Sequence, residues 1–283
     1  MADGGEGVRL TVLCDDLVLS RRLLGEHGLA LLVQTPSRRV LWDTGSGLTL
    51  LHNARELGVD LAELDAVCLS HGHYDHTGGL GAALAMTGSV PVYGHPAIFG
   101  AKYRMREGRD PVHIGIPWKR QELEQKGARM VLRREMTRLG PDLWLTGEIP
   151  REHEEEGCDS PFRVLHKGQF RPDPLEDDQA LVVRTRRGLL VILGCAHAGL
   201  GNTLRQVRRQ AGSTPILAVV GGMHLLHTRP DGVRRAVALL EEAGVQEVYP
   251  GHCTGLRAEA ALLDAFGSDR FRQLHVGAVL EFD

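Results

Sequence analysis

The sequence predicts an α/β protein built from two similar halves packed sheet on sheet. Three observations carry this expectation. Short runs rich in Val, Leu and Ile alternate with segments of helical periodicity. Two pairs of runs read as hairpins, 29–34 with 39–42 across Thr35-Pro36-Ser37-Arg38, and 179–185 with 189–193 across Arg186-Arg187-Gly188. Each hairpin is followed by further strand and helix patterns, once in each half of the chain.

Taken in order, strands are expected at 8–13, 29–34, 39–42, 66–70, 90–93, 143–146, 179–185, 189–193, 215–220 and 246–249. Helices are expected at 49–57, 80–86, 119–126, 200–210, 233–243 and 254–266. Residues from about 96 to 176 break the rhythm. They are polar, carry several prolines and include the acidic cluster from Glu152 to Glu156. Between Lys102 and Arg138 stand eleven Lys or Arg against five Asp or Glu. Either this is an insertion over the site that attracts an anionic substrate, or it is a pair of solvated helices with basic outer faces. The whole chain, 1–283, is expected to be one domain with this variable, substrate-covering insertion.

Composition narrows the function classes. Hydrophobic residues make up 42% and charged residues 24%, as in ordinary globular domains. The 33 Lys and Arg nearly balance 36 Asp and Glu, and no nucleic-acid motif is present, so nothing points to nucleic acid or an anionic membrane. Five widely spaced cysteines form no CxxC pair, the amino terminus lacks an apolar core, and no apolar run reaches membrane length. A reduced, cytoplasmic protein is expected. Of the 35 glycines, many flank the histidines described next.

Chemistry is concentrated in His71-Gly72-His73-Tyr74-Asp75-His76. Three imidazoles and a carboxylate within one short run exceed what packing requires. Neutral imidazole suits zinc, iron or manganese, and the carboxylate adds a harder donor. Asp65-Ala66-Val67-Cys68-Leu69-Ser70 reads as a buried strand before the run, and Thr77-Gly78-Gly79-Leu80 as a tight turn into a helix after it. The donors then sit at the carboxyl end of a strand, where open α/β sheets place their sites. His71 and His73 point to one side of an extended segment and can reach one ion. Asp75 and His76, one turn on, can face a neighbouring ion. Three more strands run into glycine and then histidine: His197 in Gly194-Cys195-Ala196-His197, His224 in Gly221-Gly222-Met223-His224, and His252 in Gly251-His252-Cys253. Parallel strands would bring these loops to the same rim, with His197 and His252 as ligands and His224 as ligand or substrate-facing acid.

On these motifs the chain resembles the metallo-β-lactamase-fold hydrolases, whose HxHxDH signature is met by His71, His73, Asp75 and His76. More narrowly it resembles the 7,8-dihydropterin-6-methyl-4-(β-D-ribofuranosyl)aminobenzene-5′-phosphate synthase subgroup. The matching residues include Glu26-His27-Gly28-Leu29, Trp42-Asp43-Thr44-Gly45, Gly147-Glu148-Ile149-Pro150-Arg151, Asp177-Asp178-Gln179 and the three later histidine loops. The resemblance implies an αββα four-layer sandwich with two divalent metal ions, zinc first with manganese or iron as alternatives, at one edge of the sheets. It implies that His71 and His73 hold the first ion, that Asp75 and His76 hold the second, and that His252 joins the second. The family places a bridging aspartate where this chain has Cys195. Cys195 is then either a thiolate ligand or a small buried residue beside the site, and His197 supplies a ligand two residues later. Asp43 is a hydrogen-bond acceptor behind the ligands or a turn residue capping the next helix. Asp177 and Asp178 support ligands or polarise a strand entry, and His27 and Arg151 face the substrate.

The expected activity is metal-dependent hydrolysis of a small anionic, phosphorylated molecule by an activated water. Asp75 would orient the nucleophile, and a histidine such as His224 would protonate the leaving group. The alternative is a transferase that joins a dihydropterin methyl diphosphate to an aminobenzene ribofuranosyl phosphate and releases diphosphate. A third reading is an iron redox site.

Overall fold

The structure, a computed structural model, describes residues 7–152 and 161–283. Among the described residues, seven strands form one sheet: in spatial order Val279–Phe282, Val8–Cys14, Ala30–Gln34, Arg39–Trp42, Ala66–Cys68, Val90–Gly94 and Ala128–Leu132. Six form a second: Glu247–Pro250, Ile216–Gly221, Leu189–Leu193, Leu181–Arg184, Leu143–Leu145 and Thr137–Arg138. Both expected hairpins form, with Leu31 opposite Trp42 in one and Val182 opposite Val191 in the other.

Side-chain alternation along these strands builds the layers. Leu31, Val33 and Trp42 of the first sheet meet Leu143, Val183, Leu190 and Ile192 of the second in one buried cluster. Their neighbours Ala30, Leu32 and Leu41 face outward onto Leu50, Ala54, Leu80 and Leu84 of helices Leu50–Glu56 and Leu80–Thr87. Beyond the second sheet, Val182, Val191 and Val219 pack on Leu204, Val207, Leu240 and Leu262 of helices Leu200–Ala211, Pro230–Glu242 and Leu256–Phe266. The order is α, β, β, α. A strand covered on both faces must be apolar throughout, which is why these strands read as continuous Val/Leu/Ile runs. Each fully buried Leu or Val stabilises by roughly 1.5–3 kcal/mol, so the sandwich forms a rigid base for its loops.

Strand direction decides where function can sit. Arg39–Trp42, Ala66–Cys68, Val90–Gly94 and Ala128–Leu132 run parallel, as do Leu189–Leu193, Ile216–Gly221 and Glu247–Pro250. Their carboxyl ends carry the loops that hold Asp43, His71–His76, His197, His224 and His252. The Trp42 indole donates to the Leu193 carbonyl at 3.2 Å and ties the two sheets together beside this rim.

Several expectations are corrected. The basic stretch is not a pair of helices. Lys102–Arg106, Arg109–His113, Phe162–His166 and Gln169–Pro172 form a separate four-stranded antiparallel sheet, and only Arg120–Gln125 is helical as expected. These strands are polar and partly or fully exposed, so they lack the apolar signal that reveals core strands. Ala128–Leu132, Thr137–Arg138 and Val279–Phe282 were likewise unmarked, being edge strands of mixed composition. The last helix starts at Leu256 rather than 254, because His252–Thr254 forms a 3₁₀ turn. Most of the acidic cluster, from residue 153 onward, lies outside the described residues. Among the described residues no helix is long and apolar enough to cross a membrane.

Candidate metal centre

The loop after Ala66–Cys68 is held from beneath by Asp43. The Ser70 amide donates to Asp43 Oδ1 at 2.7 Å and the Ser70 hydroxyl to Oδ2 at 2.7 Å. That hydroxyl lies 2.8 Å from His71 Nδ1, and Asp43 Oδ2 lies 2.7 Å from His76 Nδ1. With the Ser70 proton committed to Asp43, His71 Nδ1–H must be the donor to Ser70, and His76 Nδ1–H donates to Asp43. Both rings therefore turn Nε2 lone pairs into the site, the usual way a carboxylate fixes the tautomer of a ligating histidine. Thr49, not Asp43, occupies the cap position of the next helix. Asp43 thus sits behind His71 and His76, not at a helix cap. The Asp43→Asn variant is expected to bind divalent ions 10–100-fold more weakly, measured by competition with a chromogenic chelator.

Between the histidines, Gly72 donates its amide to Asp177 Oδ2 at 2.7 Å. A Cβ there would stand 2.2 Å from the Ile98 carbonyl oxygen, so glycine alone allows this approach. Asp177 in turn receives Lys102 Nζ at 2.9 Å, and Lys102 also reaches Asp173 at 3.0 Å. This buried ion triad lies under the HxH segment.

The loops from both sheets converge as the parallel strands require. His71 Nε2 lies 3.0 Å from His73 Nδ1, and the His197 ring centroid is 4.8 Å from that of His71 and 4.9 Å from that of His73. Donor atoms of these three residues lie within 4.8 Å of one another. Alongside them, Asp75 Oδ2 lies 3.8 Å from His76 Nε2 and 3.5 Å from His252 Nε2. Cys195 stands between the two groups, its Sγ 3.1 Å from His76 Nε2 and 3.3 Å from Cys253 Sγ. The cysteine therefore faces into the donor ring. His224 lies at the far side, its ring tilted against that of His197 with 4.4 Å between the centroids.

These residues fit divalent cations. His73 Nε2, both ring nitrogens of His197 and His252 Nε2 are buried without a hydrogen-bond partner. Each such orphan costs roughly 1–3 kcal/mol, and a cation relieves those that present a lone pair, one ring nitrogen of His197 and His252 Nε2, whose Nδ1 faces Asp16. Burial and mutual repulsion lower the pKa values of His71 and His197, and burial carries His73 to about 3. All three are thus neutral, the form that binds metal. Burial pushes Asp75 upward, but His76, His252 and His73 outweigh it and hold the carboxylate ionised. Burial raises the Cys195 thiol well above its ordinary value.

The remaining expected residues act around this ring. Asp178 Oδ2 accepts from the Ala198 amide at 2.7 Å, and burial raises its pKa to about 7. Arg151 donates to the His197 carbonyl at 2.7 Å and to that of Leu175 at 3.1 Å. Both residues hold the His197 loop in place, although Arg151 also lines the cleft. His27 stands at the rim, its Nε2 3.3 Å from Asp75 Oδ2. Backbone strain gathers here too: Asp43, Ala196, His224 and His252 all have φ between 49° and 57°. For residues with a Cβ this conformation is costly and persists where the fold overdetermines it, typically at functional sites.

Sequence reasoning missed several residues. Asp16 lies 2.6 Å from His252 Nδ1 and 2.8 Å from His27 Nδ1, and Asp15 Oδ2 accepts from the His252 amide at 3.1 Å. Both follow the first strand directly, so the strand-end rule that found the histidines could have found them. Nothing in the sequence marks Cys253, or Phe162 with its ring centroid 5.0 Å from that of His73. The cleft above the ring encloses about 1760 Å³, with His73, His197, His224 and His252 among its lining residues alongside Arg104, Arg106, Arg229 and Arg235.

Comparison with known proteins bears on the family and the fold. A sequence profile of the Metallo-beta-lactamase superfamily matches residues 24–201. The chain is 29% identical to the 7,8-dihydropterin-6-methyl-4-(beta-D-ribofuranosyl)-aminobenzene-5'-phosphate synthase of Methanocaldococcus jannaschii, over 98% of this chain and 97% of that one. It is 33% identical to Tm1679, a crystal structure described as a metal-dependent hydrolase of the beta-lactamase superfamily, with a TM-score of 0.84 covering 98% of this chain and 100% of that one. The fold alone is shared with YhfI from Bacillus subtilis, at 15% identity and a TM-score of 0.61, covering 98% and 100% of the two chains. Sequence profile, full-length relatives and the four-layer architecture agree: this chain belongs to the metallo-β-lactamase superfamily.

Proposed function

We propose that this chain is a metal-dependent hydrolase with a two-ion site, acting on a small phosphorylated substrate. The observation that carries the reading is the convergence of two donor groups, His71–His73–His197 and Asp75–His76–His252, on the floor of an open cleft. Divalent ions held there would supply Lewis acidity and make hydroxide available near neutral pH. The chain's own residues do the rest. Asp75, ionised and within reach of both imidazoles of its group, orients the attacking oxygen. His224, at the edge of the ring, is placed to protonate the leaving group. Arg104, Arg106, Arg229 and Arg235 along the cleft walls favour an anionic molecule.

A second reading is supported by two specific observations. The cleft is larger than the ~300–1,000 Å³ of common small-molecule sites, enough for two substrates at once. The full-length relative from M. jannaschii is a synthase of a dihydropterin–aminobenzene conjugate. In this reading the site stabilises a departing diphosphate, and the aminobenzene partner takes the place of water. One experiment tests both. Metal-loaded protein is given dihydropterin methyl diphosphate, with and without aminobenzene ribofuranosyl phosphate, beside a panel of simple phosphoesters. Turnover with water alone is the expected result. Diphosphate release that needs the aminobenzene partner would replace hydrolysis with condensation, and no turnover of any kind would remove both.

A further inference from the structure

We propose that His27, from the loop after the first strand, is a further protein ligand of the second ion, beside Asp75, His76 and His252. The inference rests on the two-ion reading above and concerns how this chain completes its second site without the bridging carboxylate that Cys195 replaces.

The geometry around Asp75 carries it. Three imidazole Nε2 atoms surround Asp75 Oδ2: His27 at 3.3 Å, His252 at 3.5 Å and His76 at 3.8 Å. Donors each about 2.0–2.2 Å from one tetrahedral ion stand about 3.3–3.6 Å apart, so His27 has the spacing of a ligand as good as that of the other two. The centroids of the His27 and His252 rings are 5.0 Å apart, the same separation as between His76 and His252.

The other ring nitrogen gives an independent argument. Asp16 places one carboxylate oxygen 2.6 Å from His252 Nδ1 and the other 2.8 Å from His27 Nδ1. One carboxylate thus fixes both rings with Nδ1–H bound and Nε2 directed at Asp75, the arrangement that supports ligating histidines. His76 receives the same treatment from Asp43.

The backbone is built for the same placement. Glu26 accepts the amides of Ser46 at 3.1 Å and Leu48 at 2.8 Å, anchoring one side of His27. On the other side Leu29 donates to the Asp75 carbonyl at 3.2 Å, and a Cβ on Gly28 would stand 2.5 Å from that oxygen. The His27 loop is therefore bound to the backbone of Asp75 itself, so ligand and loop move as one unit. The His27 side chain is 53% exposed, which leaves this part of the second site open to solvent.

The test uses the full chain stripped of metal and titrated with Co²⁺, followed by visible absorbance and by chelator competition. The natural chain is expected to take up two ions. His27→Ala is expected to weaken the second at least about 10-fold, leave the first unchanged and alter the absorbance of the second. Added imidazole is expected to restore that absorbance, since the vacated space is open to solvent. Thermal unfolding of the metal-free variant is expected to match that of the natural chain, showing that the fold persists. Second-ion affinity and absorbance unchanged in His27→Ala would overturn the ligand role while leaving the two-ion reading intact. Uptake of a single ion by the natural chain would overturn both.

Discussion

Replacing His71 and His73 together by alanine is expected to empty the first ion position and lower kcat/KM by about 10⁴-fold. The reasoning starts from burial. His71 is fully buried and His73 4% exposed, and their Nε2 and Nδ1 atoms are 3.0 Å apart. Of that donor group the double variant leaves only His197, and one imidazole cannot hold a divalent ion against water. The loss of an ion that stabilises developing charge removes several kcal/mol from the transition state, and about 5 kcal/mol corresponds to four orders of magnitude. Elemental analysis beside steady-state kinetics checks the result. Full activity with one ion missing would sink the metal-dependent reading, whereas loss of activity with both ions retained would assign the histidines to substrate instead.

The second large effect is on stability. Lys102→Met is expected to destabilise the protein by about 3–5 kcal/mol, because it leaves two buried carboxylates without their cation. Lys102 is 2% exposed, and its partners Asp173 and Asp177 have side chains 4% and 0% exposed. Burial alone would lower the lysine's pKa, but Asp177 and Asp173 outweigh it and raise the value. Denaturant unfolding of the metal-free protein measures the effect directly. Since Asp177 also receives the Gly72 amide, the variant is expected to bind metal more weakly than its unfolding alone explains. The triple variant Lys102→Met/Asp173→Asn/Asp177→Asn is expected to recover part of the stability, as neutral groups no longer need a counter-charge. A Lys102→Met protein as stable as the natural chain would show that water reaches these carboxylates.

How much of this was legible follows from the kind of signal each part leaves. Doubly covered strands such as Arg39–Trp42 and Leu189–Leu193 must be apolar on both faces, so their positions could be read residue by residue. The His71–His76 run was legible because its donors are adjacent in the chain. His197 and His252 were legible because each follows a core strand, and parallel strands share a rim. The sheet over 102–172 was not, because its polar strands lack a periodic apolar face and resemble any solvated segment. Lys102 stood among eleven basic residues with nothing to distinguish the one that is buried from the ten that are not.

By itself, then, the sequence determined the α/β class and the clustered donors His71–His76, since these depend on local pattern and on residues close in the chain, while the four-layer architecture followed from the family resemblance those motifs carry. Only the tertiary structure decided which carboxylate stands behind which histidine. Asp43 meets His76 across 33 residues, Asp16 meets His252 across 236, and Cys195 meets Cys253 across 58. Such pairings arise where strand ends from two sheets reach a common edge, and neither composition nor periodicity carries information about side chains that meet only there.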